Sequence, residues 1–221
     1  MTTFMPRLVV CGTDTDVGKT VVSALLVQGL NAKYWKPVQS GLDGGGDRGR
    51  LSRLLDLPSN RCLPEAYAFQ AAVSPHWAAE QENCCIDPKQ LALPEISGPL
   101  VVETAGGLMV PLNRQWLQID QLQRWQLPVV LVARSSLGTL NHTLLSLEAL
   151  RSRKLRVLGL VLNGPLHRDN PLTLKQFGDV PILAHLQPMA DLSATALAEQ
   201  WHQQQLSITF KRLLSPRSET Q

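Results

Sequence analysis

A strand–turn–helix pattern near the start of the chain constrains its fold more than any other feature. The apolar run 8–11 leads into the turn Gly-Thr-Asp-Thr-Asp-Val-Gly-Lys-Thr at 12–20, and a helix-like segment follows at 21–30. This order is typical of a loop that binds the phosphates of a nucleoside triphosphate. Backbone N–H groups of the turn and the dipole of the following helix both favour negative charge at that point. The sequence therefore predicts that the chain binds ATP or GTP.

The spacing of this loop departs slightly from the usual pattern. Six rather than five residues separate Gly12 from Lys19, and Thr13 stands where the first glycine normally lies. We expect Lys19 to reach the β- and γ-phosphates and the Thr20 hydroxyl to bind Mg²⁺.

Length and composition indicate a single globular domain. The chain has 221 residues, and its 44% hydrophobic content suffices for a sizeable core, which argues against intrinsic disorder. Its 21 basic and 18 acidic residues give a net charge of +3, an excess too small to indicate nucleic-acid binding. We predict one domain over 1–214 and a polar tail over 215–221.

Cysteine usage and hydropathy predict a cytoplasmic protein without a membrane partner. The four cysteines include the adjacent pair Cys84 and Cys85, and they have no disulfide or zinc spacing. This usage suits a reducing compartment. No apolar stretch approaches the roughly 18 residues of a membrane span, and we expect no signal peptide before the first strand.

Apolar runs alternate with helical segments, which predicts an α/β fold with a mainly parallel sheet flanked by helices. The runs are nearly continuous, as in strands covered on both faces. Beyond the first, the predicted strands are 34–38, 100–103, 128–132, 157–162 and 180–183. The clearest helices are 137–153 and 192–205, whereas 39–50 and 62–75 look irregular.

Distinctive polar residues follow several of these strands, and ligands gather at the carboxyl ends of strands in an open parallel sheet. Lys36 opens the block Lys-Pro-Val-Gln-Ser-Gly, Glu103 opens Glu-Thr-Ala-Gly-Gly, and Asn163 precedes Gly164. A carboxylate that closes an apolar strand needs a partner. Mg²⁺ beside a triphosphate supplies one, and the glycines permit close backbone approach.

Single residues outside these blocks have simpler explanations. A lysine at a strand end, such as Lys36, is usually a surface residue. An aspartate in a glycine-rich loop, such as Asp47, is as often a solvated surface residue as a functional one. His76 and His142 are better explained as hydrogen-bonded or helix-capping residues than as bases.

Together the motifs resemble the dethiobiotin synthetases, ATP-dependent cyclo-ligases of biotin biosynthesis. They occur in the family's order over roughly 8–190: the loop at 12–20, the block at 36–41, Asp47, Ser-Pro-His at 74–76, Glu-Thr-Ala-Gly-Gly at 103–107, Leu-Gly-Thr-Leu-Asn-His at 137–142 and Asn163. Two positions depart from the family. Asp16 stands where glutamate is common, and Thr104 replaces a glycine, which requires a negative φ at that position.

The resemblance implies a P-loop NTPase fold and a defined reaction. In the family, 7,8-diaminopelargonate and CO₂ form a carbamate, the γ-phosphoryl group of ATP activates it as a mixed anhydride, and the second amine closes the ureido ring. The products are dethiobiotin, ADP and phosphate. Family members are homodimers in which the substrate tail crosses the interface, so we expect the helix start at 137–142 to contact the partner's substrate.

The resemblance also assigns catalytic and metal-binding roles. Lys19 and Lys36 are expected to flank the γ-phosphate and the carbamate as cations, which suits a reaction that depends on positioning and charge neutralisation. Thr20, Asp47 and Glu103 are expected to supply oxygen ligands for Mg²⁺.

The remaining assignments concern the diamine and the nucleotide. Thr15 and Ser40 are expected to bind the carbamate or the diamine, with Asp16 nearby. Asn163 is expected to read the adenine edge under a turn at 187–189. The full ATP-binding set implied is Asp16, Val17, Gly18, Lys19, Thr20, Val21, Asp47, Glu103, Thr104, Ala105, Gly106, Asn163, Gly164, Gln187, Pro188 and Met189.

The sequence leaves two other functions open. ParA- or MinD-like ATPase switches carry an extra lysine early in the phosphate loop, where this chain has Asp14. An ATP-dependent amidation enzyme or kinase of the same fold, such as a cobyrinate diamide synthase relative, would be expected to carry a glutaminase domain. The 221 residues leave no room for one.

Overall fold

The computed structural model describes residues 6–215, and a seven-stranded sheet forms its centre. Four further strands form two small two-stranded sheets beside it. In chain order the strands are β1 (Arg7–Gly12), β2 (Lys33–Trp35), β3 (Val38–Ser40), β4 (Cys62–Leu63), β5 (Tyr67–Phe69), β6 (Leu100–Gly107), β7 (Pro111–Asn113), β8 (Trp116–Leu117), β9 (Val129–Arg134), β10 (Val157–Asn163) and β11 (Ile182–Leu186).

Helices connect these strands and cover both faces of the central sheet. They are α1 (Lys19–Gly29), α2 (Gly46–Leu55), α3 (Pro75–Gln81), α4 (Gln118–Trp125), α5 (Thr139–Ser152), α6 (Asn170–Gly178), α7 (Ala194–Gln203) and α8 (Leu206–Leu214). Short 3-10 helices lie at Asp43–Gly45, Ser59–Arg61 and Pro88–Leu91. Within residues 6–215, no helix has both the length and the apolar character needed to cross a membrane.

The strand order of the central sheet places the phosphate loop at its middle. The order is β11-β10-β9-β1-β6-β2-β4, and every neighbouring pair is parallel. Consequently β1 lies between β9 and β6, and the loop that follows β1 emerges at the centre of the carboxyl edge. The chain then passes over β6 to form β2, so this edge is a switch point of the kind where α/β proteins bind ligands.

Alternation along the strands divides the core into two layers. On one face, Val101 packs with α1, α7 and α8 through residues such as Leu25 and Phe210. On the other face, Val102 packs with α4, α5 and α6 through residues such as Leu147. The central strands are almost fully buried, which explains their continuous apolar sequences.

The predicted fold class, an α/β domain with a mainly parallel sheet, is confirmed. All four cysteines are free thiols. Of the predicted tail at 215–221, Ser215 follows α8 and the rest lies outside the described residues.

Three local predictions were wrong. The strand predicted at 34–38 is two strands, because β2 ends at Trp35 and β3 pairs with β5 in a separate sheet. Pro37 lies at the break, and its lack of an N–H group disfavours a continuous central strand. The segment 39–50 contains the start of α2, and 62–75 contains β4 and β5, so neither is irregular throughout.

Candidate active site

A cleft of about 1150 Å³ opens at the carboxyl edge of the sheet. The phosphate loop and the start of α1 form one wall, and α2 forms the other. Twelve of the residues that the sequence singled out line it together: Thr15, Asp16, Gly18, Lys19, Thr20, Val21, Lys36, Ser40, Asp47, Glu103, Ala105 and Gly106. The structure thus brings the phosphate loop, the Lys-Pro-Val block and the end of β6 into one site.

Local backbone constraints shape the phosphate loop. Gly18 has φ +94°, and a Cβ built there would lie 2.1 Å from Asn163 Nδ2, so only glycine fits. Lys19 follows as the first residue of α1, and its Nζ donates to the carbonyl of Asp14 at 2.8 Å. Arg134, at the end of β9, donates to the Asp14 carboxylate at 2.7 Å and ties the loop to a neighbouring strand. No pattern in the sequence indicated this contact.

Burial affects the charge of Lys19. Its side chain is almost enclosed, and this desolvation lowers its pKa, while the charge of Glu103 acts in the opposite direction. An anion in the loop would favour the charged form of Lys19 in the same way as Glu103 does.

Glu103 lies at the centre of the site and is fully buried. Its Oε1 accepts from Thr20 Oγ1 at 2.9 Å and from Lys36 Nζ at 3.2 Å. Its Oε2 accepts from the Tyr34 hydroxyl at 3.0 Å. Donors from α1, from β2 and from the segment after β2 therefore converge on one carboxylate. The role of Tyr34 was missed, since an apolar strand gives no signal for such a contact.

Lys36 connects Glu103 to Asp47, because its Nζ forms an ion pair with both carboxylates. Burial alone would lower the pKa of Lys36, but the charges of Glu103 and Asp47 outweigh it and raise that pKa. For Asp47, burial acts to raise the pKa, and the Lys36 ammonium lowers it overall. Lys36 is therefore a permanent cation at neutral pH rather than a base.

Asp47 is held in place by a side chain that the sequence analysis missed. It is the second residue of α2, and its backbone N–H donates to Gln39 Oε1 at 3.1 Å. The Gln39 amide in turn donates to the carbonyls of Ser40 and Gly41. Ser40 Oγ is buried, and none of the described residues accepts from it or donates to it. This hydroxyl borders the cleft and can bind a ligand.

The donor set fits Mg²⁺. Within residues 6–215, no group of three or more His, Cys, Asp or Glu side chains could hold a metal ion by itself. Mg²⁺ does not need such a cage, since it usually takes one or two carboxylates, substrate phosphates and water. The Thr20 hydroxyl and the carboxylates of Asp47 and Glu103 meet beside the phosphate loop, which is the set that such an ion uses.

The residues expected around adenine lie at the adjoining part of the same edge. Asn163 ends β10, and its Nδ2 donates to the Val17 carbonyl at 3.1 Å. Gly164 donates its N–H to Leu186 at the end of β11, which places the segment at 187–189 next to it. These residues do not line the main cleft, and a contact with the base stays a prediction.

Thr104 stands where the family has glycine, and its backbone avoids the positive φ that a threonine would not tolerate. It is fully buried in β6, and its φ lies outside the positive region. Its hydroxyl has no hydrogen-bond partner among the described residues. Ala105 and Gly106, which follow it, do reach the cleft.

Several curated proteins have sequences similar to that of this chain. Residues 6–196 match the family model described as "AAA domain". The chain is 50% identical over 192 residues to the ATP-dependent dethiobiotin synthetase BioD of Rhodopseudomonas palustris, covering 87% of this chain and 90% of the relative. It is 48% identical to the protein of that name from Afipia carboxidovorans, covering 86% and 91%. The biotin biosynthesis bifunctional protein BioCD of Bordetella avium is 51% identical, but the chain spans only 42% of it.

Two solved structures with a similar fold are distant from this chain in sequence. The MinC:MinD cell division protein complex of Aquifex aeolicus matches with a TM-score of 0.56 at 14% identity, covering 98% of each chain. A ParA family ATPase from Chlorobium tepidum matches with a TM-score of 0.55 at 13% identity, covering 98% of this chain and 94% of that one. At these identities the likeness establishes the fold alone.

The Lys36 ion pairs predict a pH-dependent loss of stability. Asp47 has a lowered pKa in the folded protein, so its contribution is complete above its ordinary pKa of about 4 and is lost as the pH falls through the folded value. We expect Lys36→Met to lower the free energy of unfolding by about 3 kcal/mol at pH 7. The difference from wild type should shrink below about pH 4.

Urea unfolding at pH 7 and at about pH 3.5 checks this expectation. Lys211→Met, at an exposed position on α8, is the matched control and should change little at either pH. A loss for Lys36→Met of the same size at both values would contradict the ion-pair account.

Proposed function

The chain belongs to the ATP-dependent dethiobiotin synthetases, and we propose that its cleft closes the ureido ring of dethiobiotin from 7,8-diaminopelargonate and CO₂. Its role as an ATP-dependent ligase of biotin biosynthesis follows from relatives that are about 50% identical over most of their length. The observation that carries the proposal is the convergence of Lys19, Thr20, Lys36, Asp47 and Glu103 in one cleft.

The phosphate loop and the two lysines would bind and orient ATP. Loop N–H groups and Lys19, at the start of α1, would hold the β- and γ-phosphates. Thr20, Asp47 and Glu103 are the residues that would hold Mg²⁺, which when bound neutralises charge on the phosphoryl oxygens. Lys36, as a permanent cation, would stabilise the charge that develops between the γ-phosphate and the carbamate.

Hydroxyl groups in the cleft would position the second substrate. The free Oγ of Ser40 and the side chain of Thr15 border the cleft and suit a carbamate or a diamine. One amine adds to CO₂, and the carbamate oxygen then displaces ADP from the γ-phosphorus. The second amine attacks the activated carbonyl and expels phosphate. Phosphoryl transfer of this kind depends mainly on positioning and electrostatics.

The alternative functions have no supporting feature among the described residues. Asp14 occupies the loop position of the extra lysine of ParA- and MinD-like switches, and here it accepts a hydrogen bond from Arg134. The likeness to those proteins in fold carries no argument about activity. The identity to dethiobiotin synthetases also disfavours an amidation enzyme or a kinase.

We further propose that the protein is a cytoplasmic homodimer. Large exposed apolar side chains lie on α5, on α6 and in nearby loops, an arrangement that indicates an interaction surface. They are Met109, Leu137, Leu145, Leu166, Leu172 and Phe177. Met109 and Leu145 also border a second cleft of about 410 Å³. The exposed Leu137 lies just before α5, where the resemblance predicts a contact with the partner's substrate.

The first prediction from the proposed function concerns the reaction itself. ADP release from Mg·ATP should require both diaminopelargonate and bicarbonate, and Lys36→Ala should lower kcat by at least about 10²-fold through loss of a charge-stabilising donor. Steady-state assays of both proteins, with Lys211→Ala as the surface control, provide the measurement. ADP release that ignores the diamine, or a Lys36→Ala rate within about threefold of wild type, would refute the proposal.

The second prediction concerns the metal. Glu103→Gln should raise the Mg²⁺ concentration needed for the half-maximal rate, because an amide is a weaker ligand for this ion than a carboxylate. Titration of Mg²⁺ at saturating ATP measures the change. If the metal dependence stays the same and only the pH profile moves, Glu103 acts as an acid or base instead.

The third prediction separates nucleotide from diamine binding. Asn163→Ala removes the donor to the Val17 carbonyl and the expected contact with adenine, at a cost of about 1–3 kcal/mol in ATP binding. The KM for ATP should rise and the KM for diaminopelargonate should stay nearly constant. Asn60→Ala, at an exposed position, is the control. A change confined to the diamine KM would place the base pocket elsewhere.

The fourth prediction tests the dimer. Leu145→Asp introduces a charge at a half-exposed position on α5 and should convert the dimer to a monomer in sedimentation velocity. Ile208→Asp, at an exposed position on α8, should remain a dimer. A wild-type protein that is monomeric at micromolar concentration would contradict the proposal.

A further inference from the structure

The central sheet brings a tyrosine and the buried carboxylate of the site together on one face. Tyr34 of β2 pairs in register with Val101 of β6, and Glu103 lies two residues further along β6. Side chains alternate along a strand, so Tyr34, Val101 and Glu103 all point toward the face covered by α1. A long aromatic side chain can reach a diagonal neighbour of this kind. The Tyr34 hydroxyl donates to Glu103 Oε2 at 3.0 Å.

Glu103 Oε2 depends on this one contact. Both side chains are fully buried, and the Tyr34 hydroxyl is the only donor that the described residues offer to Oε2. A buried carboxylate oxygen without a donor is unfavourable. Packing does not require the hydroxyl, because a phenylalanine ring would fill nearly the same space among the surrounding aliphatic side chains. The hydroxyl therefore has a polar role.

The two oxygens of Glu103 have different partners. Oε1 faces Thr20 and Lys36, on the side of the cleft, while Oε2 faces the sheet interior and Tyr34. The last torsion of a glutamate is soft, so its carboxylate turns easily unless a contact fixes it. The Tyr34 hydroxyl provides such a fixed contact on the side away from the cleft.

We propose that Tyr34 is a positioning residue that fixes the Glu103 carboxylate so that Oε1 is presented to a divalent cation beside the phosphate loop. This inference rests on the proposed function, since it assumes that Glu103 is a ligand of Mg²⁺. Partners of this kind orient metal ligands, and their loss commonly lowers metal affinity by 10–100-fold.

Direct metal binding tests the proposal without turnover. We expect Tyr34→Phe, with ADP bound, to bind Mn²⁺ about tenfold more weakly than wild type in titrations followed by electron paramagnetic resonance. Its affinity for ADP in the absence of metal should not change. Tyr67→Phe is the matched control, because Tyr67 is the second of two tyrosines and its hydroxyl accepts from the Asp87 N–H, outside the cleft.

A double-mutant cycle with Glu103→Gln separates the possible outcomes. If Tyr34 acts through Glu103, Tyr34→Phe should cause little further loss of Mn²⁺ affinity in the Glu103→Gln background. Wild-type affinity in Tyr34→Phe, combined with weak binding in Glu103→Gln, would overturn the inference and leave the proposed function intact. Wild-type affinity in Glu103→Gln would overturn the inference together with the metal-binding role of Glu103, and diamine-dependent ADP release would still test the ring-closing reaction separately.

A measurement that keeps the Tyr34 hydroxyl covers the case in which Tyr34→Phe does not fold. Protein labelled with 3-fluorotyrosine has two ¹⁹F resonances, which Tyr67→Phe assigns. Adding Mg²⁺ to the ADP complex should shift the Tyr34 resonance and leave that of Tyr67 in place. A Tyr34 resonance that does not respond would contradict the proposal.

Discussion

The site depends on one physical constraint, a fully buried carboxylate in the middle of β6, the third strand from one edge of the sheet. Removing the charge of Glu103 from water costs several kcal/mol, and donors must compensate for it. These donors are Thr20, Tyr34 and Lys36, which come from α1, from β2 and from the segment after it. The hydrogen bonds to this carboxylate thus connect the phosphate loop to β2. Lys36 also forms an ion pair with Asp47, which holds the start of α2 in place.

The same contacts account for the chemistry. Carboxylates keep Lys36 charged in a buried place, so it can stabilise anions but does not take a proton at neutral pH. Gln39 fixes the second carboxylate, Asp47, through the backbone. The site therefore presents cations and metal ligands at set positions, which is what phosphoryl transfer requires of a protein. A common fold with MinD and ParA proteins is compatible with this, because the fold supplies the loop and the remaining residues set the reaction.

Local patterns predicted much of this molecule, while contacts distant in sequence did not follow from them. The apolar runs predicted the parallel sheet, and the Gly-Lys-Thr turn predicted the phosphate loop and its helix. In contrast, α2 was missed because its first turns, Gly-Asp-Arg-Gly-Arg, have no apolar periodicity. The Tyr34–Glu103 contact joins residues 69 apart, and it exists only because β2 and β6 are neighbours in the sheet. No single-sequence pattern encodes that pairing.

A crystal structure with Mg²⁺, a non-hydrolysable ATP analogue and diaminopelargonate would show how Glu103 and Lys36 meet the ligands. We expect Mg²⁺ about 2.1 Å from Thr20 Oγ1 and Glu103 Oε1, with Oε2 still bonded to Tyr34. We also expect Lys36 Nζ within hydrogen-bond distance of the γ-phosphate. A metal ion bound away from Glu103, or a diamine outside the cleft that Ser40 borders, would contradict the proposed roles of these residues.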